Sequence, residues 1–213
     1  MPVARLASVR IRELSVPGAL AVTPRQFADE RGVFYEHYRF EALAEAVGHP
    51  LELRQGNTSV SRRGVVRGIH FAQVPPSQAK YVTVPHGAAI DYVVDIRVGS
   101  PTFGHWDAVR LDGTERTAVY IAEGLGHCVV ALDDDTVVSY LVNQVFTPER
   151  EHGITPFDET IGLELPLPRE QLVLAPKDAA APTLAEAERL GLLPTWDAAI
   201  GLTTALDEAW RAR

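Results

Sequence analysis

The sequence predicts an all-β protein, an antiparallel sandwich, barrel or jelly roll with small helices at its edges. Two observations carry that expectation. The middle of the chain holds short runs rich in β-branched and aromatic residues: AKYVTV (79–84), AAIDYVVDIRV (88–98), WDAVRL (106–111), TAVYIA (117–122), CVVAL (128–132) and TVVSYLVNQVF (136–146). No helical segments alternate with them, as a parallel βαβ sheet would require.

The punctuation between these runs supports each element. RFEALAEAVG (39–48) combines helix formers with a terminal glycine and reads as a short helix before the sheet. Pro85-His86-Gly87 separates the first two strands as a turn, and Gly99, Ser100 and Pro101 form another. Asp112-Gly113 between two apolar runs is a hairpin signal. Asp133 to Asp135 read as a solvated turn, because the rest of a calcium loop is absent. In PTLAEAERLGLLP (182–194), Thr183 and Glu186 fit a capping box, Gly191 stops the helix and Pro194 follows. TTALDEAWRAR, at the C-terminal end, reads as a further helix or a frayed tail.

At 213 residues the chain is expected to be one domain, with a core over about 22–170 and a segment, 171–213, whose helices pack on or near the barrel. Hydrophobic residues make up 46% and the formal charge is -8, which argues against nucleic acid or an anionic membrane as a general partner. An anionic ligand stays possible where basic residues gather. No run reaches the length of a membrane helix, and MPVARLASVRIREL lacks the apolar core of a signal peptide, so a cytoplasmic location is expected. Cys128 is the only cysteine, which excludes an internal disulfide; it reads as a small buried hydrophobe. Val93, Val94 and Ile96 read as core, Arg97 as a structural ion pair, and Trp106 as core or subunit contact.

The chemistry centres on GVVRGIHFAQVPPSQAKY (64–81), which places a lone imidazole, His70, between cations. A metal-binding jelly roll supplies a close pair of histidines, a glutamate and a later histidine. Here one histidine stands in GIHFAQ, Lys80 is a poor neighbour for a cation, and only His127 in EGLGH matches the later ligand. No metal is therefore expected. A neutral imidazole near its ordinary pKa can act as a general base, which requires a carboxylate to orient it. A hydrogen-bonded histidine within a sheet is the simpler alternative. For a single arginine a solvated surface charge is likewise simpler, and Arg62 and Arg63 read as flanking a turn.

Taken together, FADERGVFYEHY, LRQGNTSVSRRGVVRGIHF, VVDIRVGSPTFGHW, EGLGH and APKDAAAPTLAEA resemble the dTDP-4-dehydrorhamnose 3,5-epimerase family, in order, over about residues 22–194. PPSQAKY and RLGLLP resemble the branch that serves sugars of bacterial secondary metabolites. The resemblance implies a cupin-like jelly roll, a homodimer with N-terminal strands exchanged, a dTDP-4-keto-6-deoxyhexose as substrate and no cofactor. It also implies site residues: His70 as base, Asp178 as its carboxylate, Tyr140 as acid on the opposite face of the sugar, and Lys80 beside the developing enolate. Arg31, Glu36, Gln55, Asn57, Arg67, His127, Glu151 and Lys177 fall on positions that bind the nucleotide sugar. Phe146 falls where the family usually has a stacking tyrosine, so the ring is kept and the hydroxyl lost.

These roles make chemical sense. A ketone at C4 acidifies the protons on C3 and C5, and a cation stabilises the oxygen that becomes negative. Inversion needs one group to take a proton and another to return it from the far side. The expected reaction is inversion of C3 and C5 of dTDP-4-keto-6-deoxy-D-glucose. The alternatives are inversion of one centre only, a metal-dependent oxygenase, a ketoisomerase, and a binder without catalysis.

Overall fold

The structure, a computed structural model, describes residues 9–213. The N-terminal residues read above for a signal peptide lie partly outside the described residues. In chain order the elements are β1 (Arg10–Glu13), β2 (Ala19–Thr23), β3 (Gln26–Asp29), β4 (Gly32–Tyr35), α1 (Phe40–Val47), β5 (Gln55–Ser61) and β6 (Val65–Ala72). Then come β7 (Lys80–His86), β8 (Ala88–Val94), β9 (Trp106–Asp112), β10 (Ala118–Ile121), β11 (Gly126–Ala131) and β12 (Thr136–Val142). β13 (Glu151–Gly153), β14 (Val173–Leu174), α2 (Pro176–Ala179), α3 (Leu184–Arg189) and α4 (Trp196–Arg211) complete the fold.

Two six-stranded sheets face each other in a cupin-like jelly roll. The first runs β1-β2-β10-β7-β12-β5; the second runs β13-β6-β11-β8-β9, with β14 parallel to β6. Between them lies a layer of valines and isoleucines, including Val82, Val93, Val119, Ile121, Val129 and Val138. The outer face of the second sheet carries Phe71, Tyr92, Val94, Ile96 and Cys128, and the chain after β12 covers it with Ile154, Ile161, Leu184 and Ala187. On the outer face of the first sheet, Leu20, Val22, Tyr81 and Tyr120 pack against Leu43 of α1 and Leu51. Burial on both faces explains why β8 reads as an almost unbroken apolar run.

Every strand run of the sequence is present, but the Asp112-Gly113 hairpin is not. β9 pairs with β8, whereas β10 pairs with β2 and β7 in the opposite sheet. Asp112 does make a tight turn, accepting the Thr114 and Glu115 amides at 2.9 Å each. The chain then crosses the rim instead of returning beside β9. The links β7–β8 and β11–β12 cross in the same way. Turn chemistry reports a reversal of direction, and burial decides which sheet the returning strand joins.

The helices follow their caps. The capping box at α3 is present, and Gly191 adopts a left-handed φ of 68° just beyond it. α4 begins seven residues before TTALDEAWRAR, because Thr195 caps it by accepting the Ala198 amide at 3.2 Å. Its first residue, Trp196, lies under the Arg97 guanidinium, 4.6 Å from the ring centroid. Arg97 and Asp95 form a buried ion pair at 2.7 Å, and Asp95 also accepts the Ser100 and Thr102 hydroxyls at 2.6 Å each. Burial raises the Asp95 carboxyl, but these hydrogen bonds outweigh it and hold the group below its ordinary range. Asp95→Ala leaves the guanidinium buried and unpaired, so we expect a loss of about 3–5 kcal/mol, read as a lower urea midpoint with unchanged slope.

Candidate active site

A cavity of about 910 Å³ opens between the two sheets. Its walls differ in what they contribute. From the first sheet come Lys80 on β7 and Tyr140 on β12, with Gln55 and Asn57 on the edge strand β5. From the second come Arg67 and His70 on β6, His127 on β11 and Glu151 on β13. The short helix α2 adds Lys177 and Asp178.

Arg67 and His70 are three apart, a spacing that points to opposite faces of a regular strand. A bulge changes this. His127 faces His70 and Val129 faces Arg67, so three steps along β6 match two along β11. Both side chains therefore reach the cavity. Gly68 permits the arrangement: its φ is +131°, and an added Cβ would sit 2.4 Å from the His127 carbonyl oxygen.

His70 donates from Nε2 to Asp178 Oδ1 at 2.7 Å, which leaves Nδ1 as the nitrogen with a free lone pair. Asp178 is 5% exposed. Burial raises its carboxyl, yet the His70 hydrogen bond, the fields of His70 and Lys177, and the Gly68 amide together hold it below the usual range. A second pair lies beside the first: His127 donates from Nε2 to Asp91 Oδ2 at 2.8 Å. Sequence reading missed Asp91, although a carboxylate inside the apolar run AAIDYVV is a visible signal for a buried partner.

Burial lowers the Lys80 ammonium, opposed by the fields of Glu151 and Asp91. Burial likewise raises the Tyr140 phenol, helped by Glu151 and countered by Arg67, so the hydroxyl keeps its proton at neutral pH. At the mouth, the Phe146 amide donates to Gln55 Oε1 at 2.9 Å, and Gln55 Nε2 donates to Asn57 Oδ1 at 2.7 Å. Arg67 is steadied by Ser61 Oγ, which accepts from Nε at 3.2 Å.

Two expected residues are not in this cavity. Arg31 is ion-paired with Asp29 on the exposed β3–β4 hairpin, and Glu36 accepts Arg39 Nη2 at 2.6 Å just after it. β3 and β4 form a ladder only with each other and rest on Thr114 and Arg116 of the β9–β10 link, and neither Arg31 nor Glu36 lines the cavity within one chain. Among the described residues no three His, Cys, Asp or Glu side chains cluster as a metal site.

A model of the dTDP-4-dehydrorhamnose 3,5-epimerase family matches residues 13–186. The chain belongs to this family. It is 56% identical over 185 residues to the dTDP-4-dehydrorhamnose 3,5-epimerase of Mycolicibacterium smegmatis, covering 87% of this chain and 90% of that one. Its structure is similar to the RmlC epimerase of Mycobacterium tuberculosis, with a TM-score of 0.89 and 45% identity over 95% of this chain and all of the other. It is also similar to ChmJ, a 3'-monoepimerase from Streptomyces bikiniensis in complex with dTDP-quinovose. That match has a TM-score of 0.87 and 43% identity over 94% of this chain and 98% of that one.

The Asp178 carboxyl makes a prediction about acid stability. A carboxyl whose folded pKa is depressed contributes stability that is present above its unfolded value, about 3.9, and lost as pH falls through the folded value. Asp178→Asn removes that contribution. The stability gap between wild type and variant should therefore be widest above about pH 4 and shrink in more acid solution. Urea titrations across that range check it, and a gap independent of pH would contradict the assigned hydrogen bond between Asp178 and His70.

Proposed function

We propose that the protein is an epimerase that inverts C3 and C5 of dTDP-4-keto-6-deoxy-D-glucose. The observation that carries the reading is the placement of a carboxylate-oriented imidazole and a protonated phenol on opposite walls of one cavity. In this reading His70 Nδ1 takes the proton from the carbon beside the ketone, and the electron pair moves onto O4. Lys80 lies on the same wall as Tyr140 and stabilises that oxygen in a site removed from bulk water. Tyr140 returns a proton to the other face, and the pair resets by exchange with solvent. The imidazolium formed on His70 is stabilised by Asp178, as the hydrogen bond between them requires. Each such acid or base contributes about 10²–10⁴-fold in rate.

Arg67 and Lys177 supply positive charge for the diphosphate, in a chain whose net charge is -8. Phe146, 55% exposed at the mouth, offers a ring for stacking. A diphosphate-linked sugar does not cross membranes unaided, so the reading includes a cytoplasmic location. It also includes a homodimer in which the β3–β4 hairpin reaches the partner's cavity. The hairpin supports this: Phe27, Val33 and Phe34 are exposed on it, Phe34 at 72%, beside Arg31. Arg31 and Glu36 would then bind the nucleotide sugar across the interface.

A single-centre epimerase is the second reading, favoured by the likeness to a 3'-monoepimerase. Incubation with dTDP-4-keto-6-deoxyglucose in deuterium oxide separates the two. We expect NMR to show enzyme-dependent deuterium at both C3 and C5; label at one carbon alone would establish the second reading. His70→Ala should abolish the exchange, and Tyr140→Phe should lower inversion by about 10²–10⁴-fold, with dTDP binding kept in both. Normal turnover of the His70 variant would sink the mechanism.

The exchanged hairpin has its own test. Arg31→Ala and His70→Ala, each impaired alone, should recover up to about a quarter of wild-type sites when unfolded and refolded together, because about half of the dimers are mixed and each of these assembles one intact site. No recovery would place Arg31 in its own chain's function or in none.

A further inference from the structure

Lys80 must be placed accurately, yet among the described residues no side chain hydrogen-bonds its ammonium; only burial and the fields of Glu151 and Asp91 act on it. Its position therefore comes from its backbone. Lys80 opens β7, paired with Ile121 of β10 on one side and Val142 of β12 on the other. One step before it the ladder is continued by side chains. Asn143 Oδ1 accepts the Ala79 amide at 2.9 Å, and Asn143 Nδ2 donates to Glu123 Oε1 at 2.7 Å.

Glu123 is 2% exposed, and its second oxygen is buried without a partner among the described residues. An isolated carboxylate is costly to bury, and nothing in the proposed reaction uses this one. Its effect on Asn143 is specific. An ionised carboxylate only accepts, so it can bind only the NH₂ end of the amide, and the oxygen end must then face Ala79. Without Glu123 the amide is free to turn over and present a donor to a donor. The neighbouring residue ties down the same loop: the Gly124 amide donates to Ser77 Oγ at 3.0 Å. Gly124 has a left-handed φ of +86°, and a Cβ there would lie 3.3 Å from Ala199 of α4, so the C-terminal helix backs this turn directly.

We infer that Glu123 is a positioning residue: through Asn143 it clamps the backbone at Ala79 and so sets where Lys80 enters the cavity. This deepens the epimerase reading and rests on it for the role of Lys80. The geometry of the clamp itself does not depend on that reading.

The chain contains only two lysines, Lys80 and Lys177, so protein labelled with ¹³C at lysine Cε gives two signals, assigned with Lys80→Arg. Three proteins are compared with wild type: Glu123→Leu, Asn143→Ala, and the exchange pair Glu123→Gln/Asn143→Asp. In the exchange pair the new amide donates to the new carboxylate, whose other oxygen still accepts from Ala79. We expect Glu123→Leu and Asn143→Ala to shift the Lys80 signal but not that of Lys177, and to lower kcat about 10- to 100-fold with KM within about twofold, the scale of a small misplacement. The exchange pair should keep both the signal and kcat close to wild type.

Should Glu123→Leu fail to fold, Asn143→Ala against the exchange pair decides the matter. The inference is overturned if the single variants leave the Lys80 signal in place, or if the exchange pair is as impaired as they are. If the wild type itself neither exchanges nor inverts the sugar, the epimerase reading fails, and the Lys80 signals alone still decide the clamp.

Discussion

At Gly68 the backbones of β6 and β11 approach so closely that no side chain fits between them, and the rest of the site is arranged around that contact. A strand that kept its regular alternation would send either Arg67 or His70 into the apolar layer behind the second sheet. There Phe71, Tyr92 and Ile154 leave no place for a charge. The bulge turns both toward the cavity and also directs the Gly68 amide at Asp178. One irregular step thus places the imidazole, its carboxylate and a cation together. A glycine is required because the backbone is left-handed there and the neighbouring strand occupies the position of a Cβ.

The two walls also divide the electrostatic work. The second sheet and α2 hold both histidine–aspartate pairs, each with its carboxylate behind the ring and buried. The first sheet holds Lys80 and Tyr140, groups that burial pushes in opposite directions on the pH scale. Burial makes the ammonium a readier partner for a developing negative oxygen, and it keeps the phenol protonated until a strong base appears. Both effects follow from desolvation and neither needs a metal. Glu151 and Asp91 stand close enough for their fields to oppose part of that loss of water around Lys80, though burial remains the larger effect.

Much of this was legible in the sequence, and the failures have physical causes. Strands could be read because their apolar runs reflect burial on one face or both. Sheet membership could not, because Asp112-Gly113 and Pro85-His86-Gly87 encode a turn and say nothing about which edge is vacant across the rim. His70 and Asp178 were found through ordered motifs, 108 residues apart, which no local spacing rule would connect. Asp91 was overlooked because strand reading treated AAIDYVV as core and did not ask what a buried carboxylate bonds to. Arg31 and Glu36 fell on matching motif positions, yet a single chain keeps them on a hairpin with local partners. In the proposed homodimer they would serve the partner's cavity, and a sequence motif does not register which chain supplies a residue.

The same division of walls bears on how one set of groups could serve two carbons. In the proposed reaction, removal of a proton from C3 or from C5 would place negative charge on the same oxygen, O4, so Lys80 would not need to move between the two steps. His70 is held by Asp178 and cannot follow the sugar. Tyr140 sits in the middle of β12, paired with Val82 on one side and Asn57 on the other, and is equally fixed. What remains adjustable is the ring of the sugar and the mouth through which it is held. There Phe146 is tied to Gln55 through its amide while its side chain stands largely in solvent. In the proposed reaction, then, the choice between one centre and two is a property of the mouth and of the space around the sugar. The acid, the base and the cation would be the same for either outcome.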